Sequence, residues 1–268
     1  MLNRVFQYAQ SQTRARARIG AIPGKSQWQY IAAARDPDTM IQRMRENGLA
    51  HWVGQLPRSP DARAIENSVH QCITDIVSDV CRWLPLRWRK MTRWMQSGLS
   101  LVLIQNLLHE PDYKPPDGSP EILQRIAAQP LAQRREALEA AGYASYLEPD
   151  HTLLMEQWLE EFGTVCPNVS GHEAYAIARI RRLLRDHCSS LVRAGGQARE
   201  ADTHYLPGDP TQWRLREQLN ERLRGLLGYE TFHAGVLLLY LLLELLQAER
   251  CRALLLSKVH GWDAVGVV

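Results

Sequence analysis

The chain has 268 residues, of which 45% are hydrophobic and 23% charged, with a formal net charge of +3 at pH 7. That length can bury a sizeable core in one or two domains, and that balance excludes disorder along the whole chain. A pI near 8.6 is mild for a dedicated nucleic-acid binder, which concentrates far more positive charge on one face.

In the opening residues Arg4 is followed by polar Gln7, Gln10, Ser11 and Gln12, a pattern unlike a secretory leader. Arginine then interleaves with small residues through Thr13–Ile19, and Tyr175–Arg181 repeats that pattern later; Ala/Arg helices are common enough for chance to explain the likeness. Gly20–Ser26 resembles the end of a phosphate-binding loop, but Gly20 stands one position too close to Gly24 and no strand precedes it. It reads as a turn between helices.

Helix starts are expected at Asp36-Pro37, with Met40, Ile41, Met44 and Leu49 at helical spacing behind it, and at Ser59-Pro60-Asp61. In the second case Ser59 reads as the N-cap and Pro60 as the first helical residue. Ile65, Val69, Cys72, Ile73, Ile76 and Val80 then mark one face. Ser119-Pro120-Glu121 repeats the device ahead of Ile122, Leu123 and Ile126. Almost nothing alternates with the period of a strand, so the expected fold class is all-α. Breaks in the pattern place subdomains at 1–110, 111–205 and 206–268, with boundaries around Pro115–Gly118 and within 195–210.

Between Arg82 and Trp94, three tryptophans (Trp83, Trp88, Trp94) interleave with Arg82, Arg87, Arg89, Lys90 and Arg93. One reading is a stacking-and-phosphate surface for single-stranded nucleic acid or anionic lipid. The other is a helix whose indoles fill the core while arginine stems cover its flanks. The apolar Leu84, Leu86 and Met91 favour the second.

Catalytic patterns are not found. The nine histidines, His187 beside Cys188 included, form no HExxH motif and no Cys/His cluster with metal-ligand spacing. There is no G-x-S-x-G elbow, and Glu160-Glu161 sits on what reads as a solvated helix face. The five cysteines (Cys72, Cys81, Cys166, Cys188, Cys251) include no CxxC pair, which points to reduced, mostly buried thiols in the cytosol.

Ala234–Leu243 is the longest apolar run and is closed by Glu244. Crossing a bilayer takes about 20 apolar residues, so this run reads as a core helix of a soluble protein, buried on every side. Further on, Glu249 and Arg252 are placed to pair along its surface. Glu244 among leucines would be costly to bury alone, so it should meet a cation or project into a groove.

This helix resembles the C-terminal helix of the C/d subunit family of archaeal-type and vacuolar-type rotary ATPases. Members carry a tyrosine, then a glutamate, then an E-x-x-x-[LIV]-R-x-[IL]-x-x-G-K-like stretch. Here stand Tyr240 and Glu244, then Glu249 to Lys258, with Arg252 near the family's arginine, Lys258 at its lysine and Ser257 in place of glycine. The N-terminal part is similar too: Tyr8, the Ala17-Arg18-Ile19-Gly20-Ala21 motif, Tyr30-Ile31-Ala32-Ala33, the helix bearing Met40 and Met44, and Ala64-Ile65-Glu66. The likeness covers roughly the first hundred residues and the last forty. In place of the family's D-x-x-N-L-[KR] element the chain has Ile104-Gln105-Asn106-Leu107-Leu108.

The resemblance implies a funnel of three helical bundle subdomains without catalytic residues or cofactor. Such a subunit sits on the cytoplasmic face of the membrane, peripheral to it, and links the central shaft to the proteolipid ring of an ATP-driven ion-translocating complex. Its partners would be the shaft subunits and the ring, with no nucleic acid and no small-molecule substrate. Arg14, Arg16, Arg18, Arg179, Arg181 and Arg182 would suit acidic partners, with Glu244, Glu249 and Arg252 as further contact residues. Two other expectations stand beside it: a helical nucleic-acid-binding protein or adaptor using residues 82–94, and a helical adaptor or enzyme with a pocket built around a buried Glu244 of raised pKa.

Overall fold

Helix formation follows from the long runs of Leu, Ala, Arg, Glu and Gln, and the computed structural model describes residues 2–117, 119–147, 151–200, 210–229, 233–261 and 267. Among them no residue is in a strand, and the chain is all-helical. The described residues fall into two compact units, one made of residues 1–84 with 169–268, the other of residues 85–168. The changeovers lie at 84/85 and 168/169. Residues 118 and 201–209, on which much of the expected boundary evidence falls, lie outside the described residues.

The first unit contains α1 (Leu2–Gly20), α2 (Lys25–Ala32), α3 (Pro37–Met44), α4 (Ala50–Val53) and α5 (Ala62–Trp83), with three more helices from the second half of the chain. The Gly20–Ser26 stretch holds the end of α1, a turn over residues 21–24 and the start of α2. Asp36 caps α3 by accepting from the Thr39 backbone N–H at 2.8 Å, with Pro37 as first helical residue. The two serine caps are corrected by the structure. At α5 the cap is Asp61, whose Oδ1 accepts from Ala64 N at 2.7 Å, while Ser59 has φ +49. Asp61 outcompetes the serine because it stands two residues nearer the first helical N–H groups and carries a full charge toward their dipole. At Glu121 the N-cap is Pro120, and Ser119 is buried.

The core faces are those of the helical pattern: Met40, Ile41, Met44 and Leu49 are buried, as are Ile65, Val69, Ile73, Ile76 and Val80, while Cys72 is half-buried. Between α3 and α4 the helical path is broken at Gly48, φ +83, where a Cβ would lie 2.5 Å from the Ala21 carbonyl oxygen. Only glycine permits both that backbone conformation and that approach of the turn to the end of α1.

The unit is closed by α10 (Gly171–Glu200), α11 (Pro210–Tyr229) and α12 (Ala234–His260). Helix α12 is about 40 Å long at 1.5 Å per residue, and every residue from Ala234 to Glu244 is buried. It packs against α1, α3, α5, α10 and α11. Each leucine side chain so buried stabilises the fold by about 1.5–3 kcal/mol, which makes α12 the centre of the unit. Among the described residues no helix is long and apolar enough to cross a membrane.

The second unit contains α6 (Arg89–His109), α7 (Glu121–Ala127), α8 (Leu131–Leu138) and α9 (His151–Val165). Trp94 on α6 and Trp158 on α9 stack at 4.0 Å with ring planes 11° apart. Each indole N–H donates to the other residue's carbonyl, at 2.8 and 3.2 Å. Gly98 allows this: a Cβ there would stand 2.7 Å from the Trp158 ring. Phe162 completes the cluster edge-on to Trp94.

Arg134 on α8 is 3% exposed. Its five N–H groups donate to the carbonyls of Leu107, Glu110, Pro111, Ala127 and Gln129 at 2.6–3.2 Å. Those oxygens belong to the C-terminal ends of α6 and α7 and the loops that follow. The negative ends of two helix dipoles therefore stand in for a carboxylate, and every donor of the guanidinium is satisfied.

Candidate functional site

Four elements of the first unit converge on a cavity of about 290 Å³. The end of α1 contributes Arg18, the turn after α3 contributes Gly48, and α4 contributes His51 and Trp52. Helix α5 presents Cys72, Asp75, Ile76 and Asp79, residues spaced three, four and seven apart and hence on one face. From α12 comes Glu244, only 2% exposed.

Glu244 borders a groove, with an imidazole as its neighbour there. His51 Nε2 lies 3.5 Å from Glu244 Oε2, with the His51 side chain 49% exposed. The approach is electrostatic, because Oε2 accepts no hydrogen bond. One turn away, Tyr240 is fully buried, and Arg18 Nη1 donates to its hydroxyl at 3.0 Å. Burial, and next the charge of Glu244, push the Tyr240 phenol far above its usual pKa, so it stays a neutral hydroxyl. Burial disfavours the charge of Arg18, but its contacts with Tyr240 and Asp79 outweigh that and raise its pKa. Arg18 Nη2 reaches Asp79 at 3.2 Å, and Arg82 holds the other oxygen of Asp79 at 3.2 Å. Asp79 is thus neutralised twice, whereas Asp75 is met by the uncharged Gln71 amide at 3.0 Å.

Two thiols border this cluster. Cys72 is pushed up to about 11 by burial and then by Asp75. Cys251 is pushed up by burial and then by Glu244. Neither is poised as a nucleophile. All five cysteines are free thiols; Cys188 and Cys251 are buried, and the other three are half-buried rather than hidden as expected.

A second polar contact joins the chain's ends. Arg252 Nε donates to both oxygens of Glu66 at 2.8 Å, and Arg252 Nη2 lies 2.7 Å from Oε1. The expected pairing of Arg252 with Glu249 is the weaker contact, at 4.0 Å. Arg250, one helical position the sequence did not single out, is more deeply set. It pairs with Glu217 and lies over the rings of Trp28 and Trp213 at 5.2 and 5.9 Å.

The remaining arginines are distributed over the surface. Arg14 is exposed, and Arg16 donates to the Leu227 carbonyl at 3.4 Å. On α10, Arg179 covers the exposed Tyr175 ring at 5.7 Å, Arg181 is half-buried and Arg182 is exposed. In the Arg/Trp segment, Trp88 and Trp94 are buried, Trp83 is half-buried, and the apolar Leu86 is exposed. The indoles fill cores and do not form a stacking platform. The Arg93 side chain and the Tyr8 side chain lie outside the described residues.

Among the described residues no three His, Cys, Asp or Glu side chains are grouped to hold a metal ion. Comparison with known family models, curated proteins and solved structures finds no match for this chain.

Sequence reasoning found Arg18, Tyr240 and Glu244 but missed His51, Asp75 and Asp79. A signal was present: Asp75 and Asp79 are one turn apart on α5, along the edge of the core stripe that carries Cys72 and Ile76.

Proposed function

We propose that this chain is a non-catalytic coupling subunit of a V/A-type rotary ATPase, linking the central shaft to the membrane proteolipid ring on the cytoplasmic face. In this reading the helices build a funnel of three bundles, and the body transmits torque without a cofactor. The observation that carries it is a meeting of chain ends. The residues on which the family resemblance rests, far apart in sequence, pair with one another: Arg18 with Tyr240 and Glu66 with Arg252, across 222 and 186 positions. Positions matched for reasons of sequence alone thus share one structural job, fastening α12 to α1 and α5.

That job suits torque transfer. A part that passes on a twist must be stiff, and helices close-packed around the buried Ala234–Glu244 stretch of α12 supply stiffness. Solvent-facing Arg14 on α1 and Arg182 on α10, with Arg179 on that same helix, offer charge for acidic partners without a large apolar contact.

The test is recovery of the tagged full chain from detergent-solubilised membranes, with co-purifying subunits identified by mass spectrometry. Shaft and ring subunits of a rotary ATPase are the expected partners. Recovery of the chain free of both, from membranes in which the complex is intact, would sink the proposal.

A further inference from the structure

We propose that the cavity between α1, α4, α5 and α12 is a binding site for an organic cation, an alkylammonium or alkylguanidinium head on an apolar stem. The inference concerns a ligand and stands apart from the coupling role.

The charge pattern selects the sign. Of the three carboxylates at the cavity, Asp79 is already held by Arg18 and Arg82. Asp75 has the neutral Gln71 amide, and Glu244 has the neutral Tyr240 hydroxyl one turn away and His51 at 3.5 Å from its Oε2. Glu244 is 2% exposed and its Oε2 has no hydrogen-bond donor. A buried carboxylate oxygen in that state carries most of its desolvation cost with little return, so a cation that reaches it recovers several lost contacts at once.

The walls select an organic cation. Ile22, Leu49, Trp52 and Ile76 supply apolar surface beside the carboxylates, which a bare metal ion would not use and an alkyl stem would. A volume of about 290 Å³ lies at the small end of ligand pockets, the size of one arginine-like or lysine-like side chain or a short free amine. Trp52, which lines the cavity, offers a ring face over which a guanidinium can lie.

His51 acts as the gate. Its side chain is 49% exposed and holds Glu244 by an electrostatic approach, not by a formed hydrogen bond. Rotation of one exposed ring therefore uncovers Oε2 without disturbing the packed helices. The incoming cation takes the place beside Glu244 that His51 occupies in the free chain.

Calorimetric titration of the full chain with n-butylguanidinium tests the site, with n-butylurea as the neutral isostere. Saturable binding of the guanidinium and none of the urea is expected. Glu244→Gln should weaken binding at least about tenfold, because a buried charge partner is lost. His51→Ala should tighten it, because a competitor is removed, and Asp75→Asn, at an exposed position, should weaken it by about threefold. The opposite signs at His51 and Glu244 distinguish a site from general charge attraction, and Asp75→Asn keeps the test open where Glu244→Gln does not fold. A capped Ala-Arg-Ala peptide separates the sources: binding as tight as n-butylguanidinium assigns the site to a protein side chain, and binding of the free cation alone assigns it to a small amine. No saturable heat with either probe, or binding unchanged in both Glu244→Gln and Asp75→Asn, overturns the proposal.

Discussion

The two compact units solve the burial problem in opposite ways. The first surrounds an apolar helix, α12, with five others and keeps its charged pairs at the edges of that core. The second buries a cation: Arg134 ties two helix ends and their following loops through carbonyl oxygens, and elsewhere in the unit two indoles stack. Apolar packing is tolerant, since losing one methyl-bearing side chain leaves the others in place. A cation satisfied by five carbonyls is not, because its removal orphans all of them together.

The largest effect is therefore expected from Arg134→Met. It should destabilise the second unit by about 3–5 kcal/mol, measured by urea unfolding with hydrogen exchange resolved to α6–α8. Lysine at this position should recover little, since an ammonium has three donors and no planar fork. A loss under about 1 kcal/mol would mean that apolar packing holds both units and would erase the contrast.

Next comes Leu254→Ala on α12, at a fully buried position of the first unit. A cavity there should cost about 2–5 kcal/mol, with faster exchange in the helices that touch α12. Finding the cost near the bottom of that range would show that the surrounding helices collapse onto the space, the tolerance argued above.

A smaller effect is expected from pH. Burial, with Arg216 and Arg222 next in weight, lowers His187 on α10 from 6.5 to about 4. Above about pH 6.5 the imidazole is neutral in both folded and unfolded chains and costs nothing. As pH falls toward 4 the unfolded chain takes up a proton that the folded chain cannot hold, and about 1–2 kcal/mol of stability is lost. Below about 4 the loss levels off. Replacing His187 with Gln should flatten that limb of the stability-against-pH curve; an unchanged curve would place the pH sensitivity elsewhere.

The smallest effect belongs to Glu66→Gln, which breaks the Arg252 pair. Both side chains are about one-third exposed, so water and salt screen the contact and a loss below about 1 kcal/mol is expected. A larger loss would show that this pair fastens α12 to α5 more firmly than apolar contact alone.

Helical class, the core stripes of α3 and α5 and the burial of α12 were legible in the sequence, because 3.6-residue periodicity is a local property that neighbours along the chain express. So was the helix start at Asp36-Pro37, and so was the need for Glu244 to find a cation or a groove, which follows from the cost of burying charge. The serine caps were misread because a stronger acceptor, Asp61, stood within reach of the same N–H groups. Arg134 looked like any arginine on a polar helix, with nothing nearby in sequence to mark it. Its role depends on carbonyls up to 27 residues away, and the pairing of His51 with Glu244 depends on α12 crossing α4 and α5. The sequence by itself determined which segments coil and which faces turn inward. Which polar groups meet was decided only by tertiary packing, since a hydrogen-bond partner is chosen by distance in space and periodicity carries no record of it.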